Sequence, residues 1–358
     1  MSVNKHDLGE KGNRVTVYDW LRLIATIFVV IGHSAYLNIQ TTYGGVDYQL
    51  QDNLNNMYYS VGIEWIRHMS VWVYGFHMPL FFMLSGAVMA LKPIKNFDSM
   101  VKGKIKRLLV PYFVYGWLFM LPIKRLGNFY NNETLRLAFK GFLLGADSGH
   151  LWFLTALFWC IIAFLLIIKI LNKINVNSLY VILGVSGIIL FTYMYIPFDV
   201  LNMKMGLSYL FYFSLGYVFE NERKTNGKWN IKNLILALLI IFLVEIINEK
   251  FDILSSFFVI LIGSFMTYVM AAILDRLFAN AYENKLWKIV TRNLFYVYIF
   301  HDPLEYIVLR IFFNSNLLKN SFGCIAYVIA RTVVIFIISV LLGEIIEFIK
   351  KKFVYLLK

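Results

Sequence analysis

Tyr18-Asp19-Trp20-Leu21-Arg22-Leu23-Ile24-Ala25-Thr26-Ile27-Phe28-Val29-Val30-Ile31-Gly32-His33 sets an aspartate, an arginine and a histidine into a largely apolar run. The step from Arg22 to His33 is eleven residues, close to three helical turns. The two side chains therefore share a face, about 16 Å apart along the axis, with Asp19 one turn below Arg22. Such a stripe inside a membrane segment is costly, and intramembrane ionisable groups are functional by default. The plainer alternative has Arg22 snorkelling to the interface with Asp19 paired to it, while His33 bonds to a neighbouring helix. No small-residue cleavage site follows the run, so it is expected to stay in place as the first helix.

Composition generalises what this helix shows. Hydrophobic residues are 59% of the 358 positions and charged residues 15%, against roughly 25% charged in a soluble domain. Apolar residues run all round the helices, so lipid must cover them. The formal net charge of +13 does not signal nucleic acid, because the lysines and arginines lie in short runs between apolar stretches. Cys160 and Cys324 fall inside apolar segments without ligand-like spacing, which argues for packing roles and against a disulfide framework or metal site.

Apolar stretches near 18–38, 70–91, 108–123, 150–171, 179–196, 205–220, 231–247, 253–275, 293–313 and 322–348 are each about long enough to cross or nearly cross a bilayer core. Alternate loops then hold 23 basic residues on one side and nine on the other, with Arg22 and Arg331 inside helices. The positive-inside rule makes both termini cytoplasmic. The expected fold class is all-α, a polytopic transmembrane bundle of about ten helices. Residues 1–17 form a cytoplasmic tail and 18–358 a single integral domain. Residues 39–69 and 124–149 are expected as long outer loops.

Two histidines sit at prolines: His77-Met78-Pro79 in the second helix and His301-Asp302-Pro303 in the ninth. Each proline frees a backbone carbonyl, and such a break is tolerated mainly where it lines a cavity or is satisfied by neighbours. His301 also has Asp302 and Glu305 close by. His150-Leu151-Trp152-Phe153 opens the fourth helix, either as an interfacial belt or as part of a site. The basic run Lys92 to Arg107 exceeds what orientation requires; it faces anionic lipid or grips a phosphorylated cofactor. His33, His77, His150 and His301 share one chamber if the first, second, fourth and ninth helices are adjacent.

Several of these motifs together resemble the acyltransferase 3 family of integral membrane acyltransferases. They are Asp19-Trp20-Leu21-Arg22 with His33, Met78-Pro79-Leu80-Phe81-Phe82-Met83-Leu84-Ser85-Gly86, Arg107-Leu108-Leu109-Val110-Pro111-Tyr112, His150-Leu151-Trp152-Phe153-Leu154, and Arg292-Asn293 through Tyr298 to His301. The resemblance spans nearly the whole chain in order. It implies a multi-pass plasma-membrane enzyme that transfers an acyl group, usually acetyl from acetyl-CoA, to a hydroxyl of a cell-surface or lipid-linked saccharide. No metal or nucleic acid is expected. Arg22 and His33 match the family's paired arginine and histidine.

On that reading His33 is the general base, with Arg22 and Asp19 completing the catalytic set, since an unperturbed histidine suits proton transfer at neutral pH. Arg22, Lys104 and Arg107 are expected to hold the donor. His77, His150, Trp152, Tyr298 and His301 are expected at the acceptor, with His150 and His301 also candidates for the developing oxyanion. The rival reading is a proton-coupled transporter or flippase for a polysaccharide precursor, with Arg22, His33 and Glu305 as a proton relay. An internal repeat would favour it, and none is visible.

Overall fold

The computed structural model describes residues 15–35, 38–41, 44–47, 61–94, 96–127, 129–176, 178–226, 254–312 and 321–356. Five stretches among them are long and apolar enough to cross a membrane: Thr16–Ser34, Glu64–Ala90, Glu133–Lys173, Val259–Leu277 and Ser321–Lys352. Large side chains such as Leu118, Ile188, Phe265 and Phe322 stand outward on the helices, where water would penalise them and lipid does not. This is a helical membrane protein.

The helices are α1 (Thr16–Ser34), α2 (Val61–Ala90), α3 (Phe97–Lys104), α4 (Val110–Tyr115), α5 (Leu121–Leu126), α6 (Asn132–Leu144), α7 (Trp152–Lys173), α8 (Leu179–Thr192), α9 (Met203–Ser208), α10 (Leu210–Asn226), α11 (Leu254–Leu277), α12 (Lys285–Phe312) and α13 (Ser321–Leu356). The expected segment 231–247 lies outside the described residues. Each of the other nine expected segments is largely helical in its described part, but not all meet the length and apolarity of a span. α12 is long enough, yet Lys285, Lys288, Arg292, Asp302 and Glu305 interrupt its apolar face.

The expected segment 108–123 is a composite. α4 and α5 each follow a π-helical turn, Ile105–Leu109 and Gly116–Met120, and each carries a proline, Pro111 and Pro122, in its first turn. Proline lacks the N–H for the usual bond, and the wider turn absorbs the misfit. The all-α architecture carries one short addition among the described residues. In the expected loop 39–69, Asn38–Thr41 (β1) and Gly44–Asp47 (β2) pair as an antiparallel hairpin, and α2 already begins at Val61.

α1 packs against α2, α11, α12 and α13, and α2 crosses α10 closely. At that crossing a methyl group on Gly86 would collide with the Phe213 carbonyl, and one on Gly216 with the Met83 carbonyl. Small residues let helix backbones approach where lipid supplies no hydrophobic drive. Two apolar clusters result. One centres on Leu21, Phe76, Phe82, Phe164 and Phe213, the other on Tyr112, Phe142, Leu151, Val297 and Phe300. A cavity of about 770 Å³ is walled by members of both, including Leu84, Leu157, Leu154 and Tyr298. Cys160 and Cys324 are buried and unbridged.

Candidate active site

α1 and α12 lie side by side, and each presents basic residues at one end of the cavity and histidine at the other. Arg22 and His33 line it from α1, Arg292 and His301 from α12. At 1.5 Å per residue both pairs are separated by about 14–16 Å along their axes. The cavity is thus an elongated passage with chemically different ends.

Lys104 and Arg107 line the same cavity as Arg22 and Arg292. Arg22 pairs with Asp19 at 3.8 Å, and Arg292 grips Glu344 through a single nitrogen at 2.6 and 2.7 Å. Among the described residues neither Lys104 nor Arg107 has a carboxylate within ion-pair distance. Burial, and then the neighbouring Arg107, lowers the pKa of the Lys104 ammonium. Two crowded cations without a counter-charge form a site that an anion relieves.

At the other end Asp302 gathers three partners from three parts of the chain. His33 Nδ1 lies 3.1 Å from its Oδ1; Lys124 Nζ and His150 Nδ1 lie 3.1 and 3.0 Å from its Oδ2. Lys124 is only 3% exposed, and its ammonium stands 5.1 and 4.9 Å from the ring centres of Phe129 and Tyr306. Room for it comes from Gly149, at φ +50°, where a Cβ would lie 3.0 Å from Nζ. With Gly145 at φ +89° this turn needs left-handed backbone twice, a conformation glycine adopts without strain.

The turn delivers His150 to the break in α12. In an unbroken helix residue 303 would donate to the Ile299 carbonyl, but Pro303 has no N–H. His150 Nε2–H donates to that carbonyl instead, at 2.9 Å. Tyr298 Oη donates to the His150 carbonyl at 2.6 Å. His150 is therefore tied at both ring nitrogens and its backbone.

His301 is held differently. Its Nδ1 lies 2.8 Å from the Tyr298 carbonyl and 3.1 Å from that of Val297, so Nδ1 carries the proton. Its Nε2 is buried and, among the described residues, has no partner. The ring meets those of His33 and His150 edge-on at 4.7 and 5.2 Å between centres. On the facing wall His77 Nδ1–H donates to the Val73 carbonyl at 2.8 Å. Among the described residues no set of three or more His, Cys, Asp or Glu side chains is arranged to hold a metal ion.

A family model described as an acyltransferase domain matches residues 16–344, the span that builds this cavity. The chain belongs to the acyltransferase 3 family. It is 26% identical to the nodulation protein NolL of Sinorhizobium fredii (strain NBRC 101917 / NGR234) over 63% of its own length and 54% of NolL's. The chain thus spans about half the length of that curated relative. No solved structure matches it.

The structure brings Arg22, His33, His77, Lys104, Arg107, His150, Trp152, Tyr298 and His301 to one cavity. Asp19 stands off the wall, buried, behind Arg22. Three charged lining residues, Asp302, Arg292 and Lys124, went unselected as site residues. Asp302 and Arg292 lay inside motifs already singled out, Asp302 as a bare carboxylate in an apolar run. Lys124 fell on the boundary between an expected helix and an expected outer loop, where a lysine reads as solvated.

Proposed function

We propose that this protein transfers an acyl group, acetyl in the first instance, from acyl-CoA to a hydroxyl of a cell-surface or lipid-linked saccharide. In this reading about ten helices span the plasma membrane, both termini are cytoplasmic, and Lys104 and Arg107 mark the cytoplasmic end of the cavity. The observation that carries it is the passage itself, with uncompensated cations at one end and the Asp302–histidine cluster about 16 Å away along α1. Phosphates held by Arg22, Lys104 and Arg107 would leave an extended pantetheine arm reaching toward His33. Trp152, Phe153 and Tyr209 on the wall offer apolar faces to a sugar ring.

The chemistry follows from how Asp302 holds His33. The carboxylate at Nδ1 orients the ring and stabilises the imidazolium formed when the nitrogen remote from Asp302 takes a proton. The acceptor hydroxyl gives that proton to His33 as its oxygen bonds to the thioester carbonyl carbon. The carbon–sulfur bond then breaks, and the imidazolium returns the proton to the departing sulfur. The products are the ester and CoA thiol. His150 and Lys124 act on Asp302, one through the ring contact and one as its counter-ion. Glu305, which the transporter reading places in a proton relay, is paired instead with Arg331 and Ser34.

The test is His33→Ala in the full chain, inserted at the parent's level. Release of CoA thiol from acetyl-CoA should fall at least about a hundredfold, and the acetyl mass on surface glycan should disappear. A variant that acetylates as fast as the parent removes His33 from the mechanism.

A further inference from the structure

We infer that His301 reads a second hydroxyl on the acceptor, so that the site selects molecules with two neighbouring hydroxyls over monohydric alcohols. This rests on the acyl-transfer reading above and adds what the acceptor must look like. The argument begins with the proton. A carbonyl oxygen only accepts, and His301 Nδ1 faces two of them, those of Val297 and Tyr298. The ring proton is therefore on Nδ1, and Nε2 presents a lone pair.

That lone pair is the unusual feature. Among the described residues Nε2 is buried and meets no donor, on a residue that is itself 0% exposed and lines the cavity. A buried polar atom without a partner is disfavoured, and in a binding site it marks where a ligand supplies the missing group. What it lacks is a donor. An oxyanion cannot fill it, because an oxyanion brings no hydrogen; a hydroxyl can. This separates the two acceptor-side roles open to His301 from sequence.

Its place beside His33 determines which hydroxyl. The two rings are 4.7 Å apart between centres and nearly perpendicular. Neighbouring hydroxyls on a sugar or polyol ring stand about a hydrogen bond apart, so one oxygen at His33 sets the next at His301. The first gives up its proton to reaction; the second keeps its proton and donates it to Nε2. His150, with both nitrogens engaged by Asp302 and Ile299, offers no equivalent acceptor.

The experiment uses the full-length protein in detergent with two probes, trans-1,2-cyclohexanediol and cyclohexanol. Equilibrium binding is read without donor from protein tryptophan fluorescence. Transfer is read separately as CoA thiol release from acetyl-CoA. The parent should prefer the diol about tenfold to a hundredfold, the effect of one buried hydrogen bond made or missed. His301→Phe should bring the binding ratio close to one, and His301→Gln, which keeps an acceptor oxygen, should restore part of it. Equal binding of the two probes by the parent, or an unchanged ratio in His301→Phe, overturns the inference. Diol preference that depends on His301 but comes with no thiol release sustains it and strikes the acyl-CoA reading alone.

Discussion

Asp302 and Glu305 stand one turn apart on α12, both buried, and their surroundings are opposite in kind. Glu305 is closed off. Arg331 of α13 meets its Oε2 at 2.5 Å, Ser34 of α1 donates to its Oε1 at 2.6 Å, and Arg331 also donates to the Ser34 carbonyl at 2.8 Å. An arginine never gives up its proton in a protein, and serine has none to lose at ordinary pH. The triad is a fixed clasp among three helices. Asp302 instead has two histidines among its partners, side chains whose two ring nitrogens can each give or take a proton, and it borders the cavity. Equal burial on one helix therefore says little about role; the partners' capacity to exchange protons separates lock from machinery.

The largest effect that would break this distinction is Asp302→Asn. The amide keeps the shape but cannot hold His33 as a carboxylate does, and CoA thiol release should fall about 10³- to 10⁴-fold. A loss near tenfold would place Asp302 with Glu305 as a structural group. Next comes Arg331→Met, which leaves Glu305 as a buried charge without its counter-ion. It should destabilise the protein by about 3–5 kcal/mol, read as a lower midpoint of heat-induced aggregation in detergent, with turnover per folded molecule within about twofold of the parent. The double change Arg331→Met with Glu305→Leu should recover most of that stability. If turnover collapses in the folded fraction, the clasp is part of the chemistry.

Lys124→Met sharpens the contrast from the other side. It removes the lysine ammonium from Asp302 while leaving both histidines, and turnover should drop about tenfold to a hundredfold, between the two cases above. The smallest expected effect is Gly149→Ala. The φ of +50° and the 3.0 Å approach to Lys124 Nζ should cost about 1–2 kcal/mol, with a mild loss of turnover, because the added methyl presses on the ammonium rather than removing it.

How far these arrangements were legible in sequence differs along the same lines. Arg22, His33, Glu305 and Arg331 were visible as charges in apolar segments, where the cost of burial itself flags them. The shared chamber of His33, His77, His150 and His301 was legible only as a condition on which helices are neighbours. His150 meets Asp302 across a separation of 152 residues, and no local pattern encodes such a contact. Lys124 escaped because its meaning depends on the fold. On a loop it is solvated, whereas here π turns and paired prolines draw the composite segment inward. The hairpin in 39–69 was missed for another reason: a loop rich in Asn, Tyr and Gly offers no clear period of two.

The repair of Pro303 by His150 also bears on the order in which the site comes into being. Synthesis delivers His33, His77, Lys124 and His150 well before α12, so until late in translation Lys124 lacks Asp302, the carboxylate that answers its charge. α12, for its part, arrives with the Ile299 carbonyl, which His150 satisfies. Each half completes the other's unmet polar groups, and neither is at rest in the bilayer alone. A ribosome-bound chain that stops short of α12 should thus be an easy target for membrane quality control, and catalytic competence should appear only as the last helices dock.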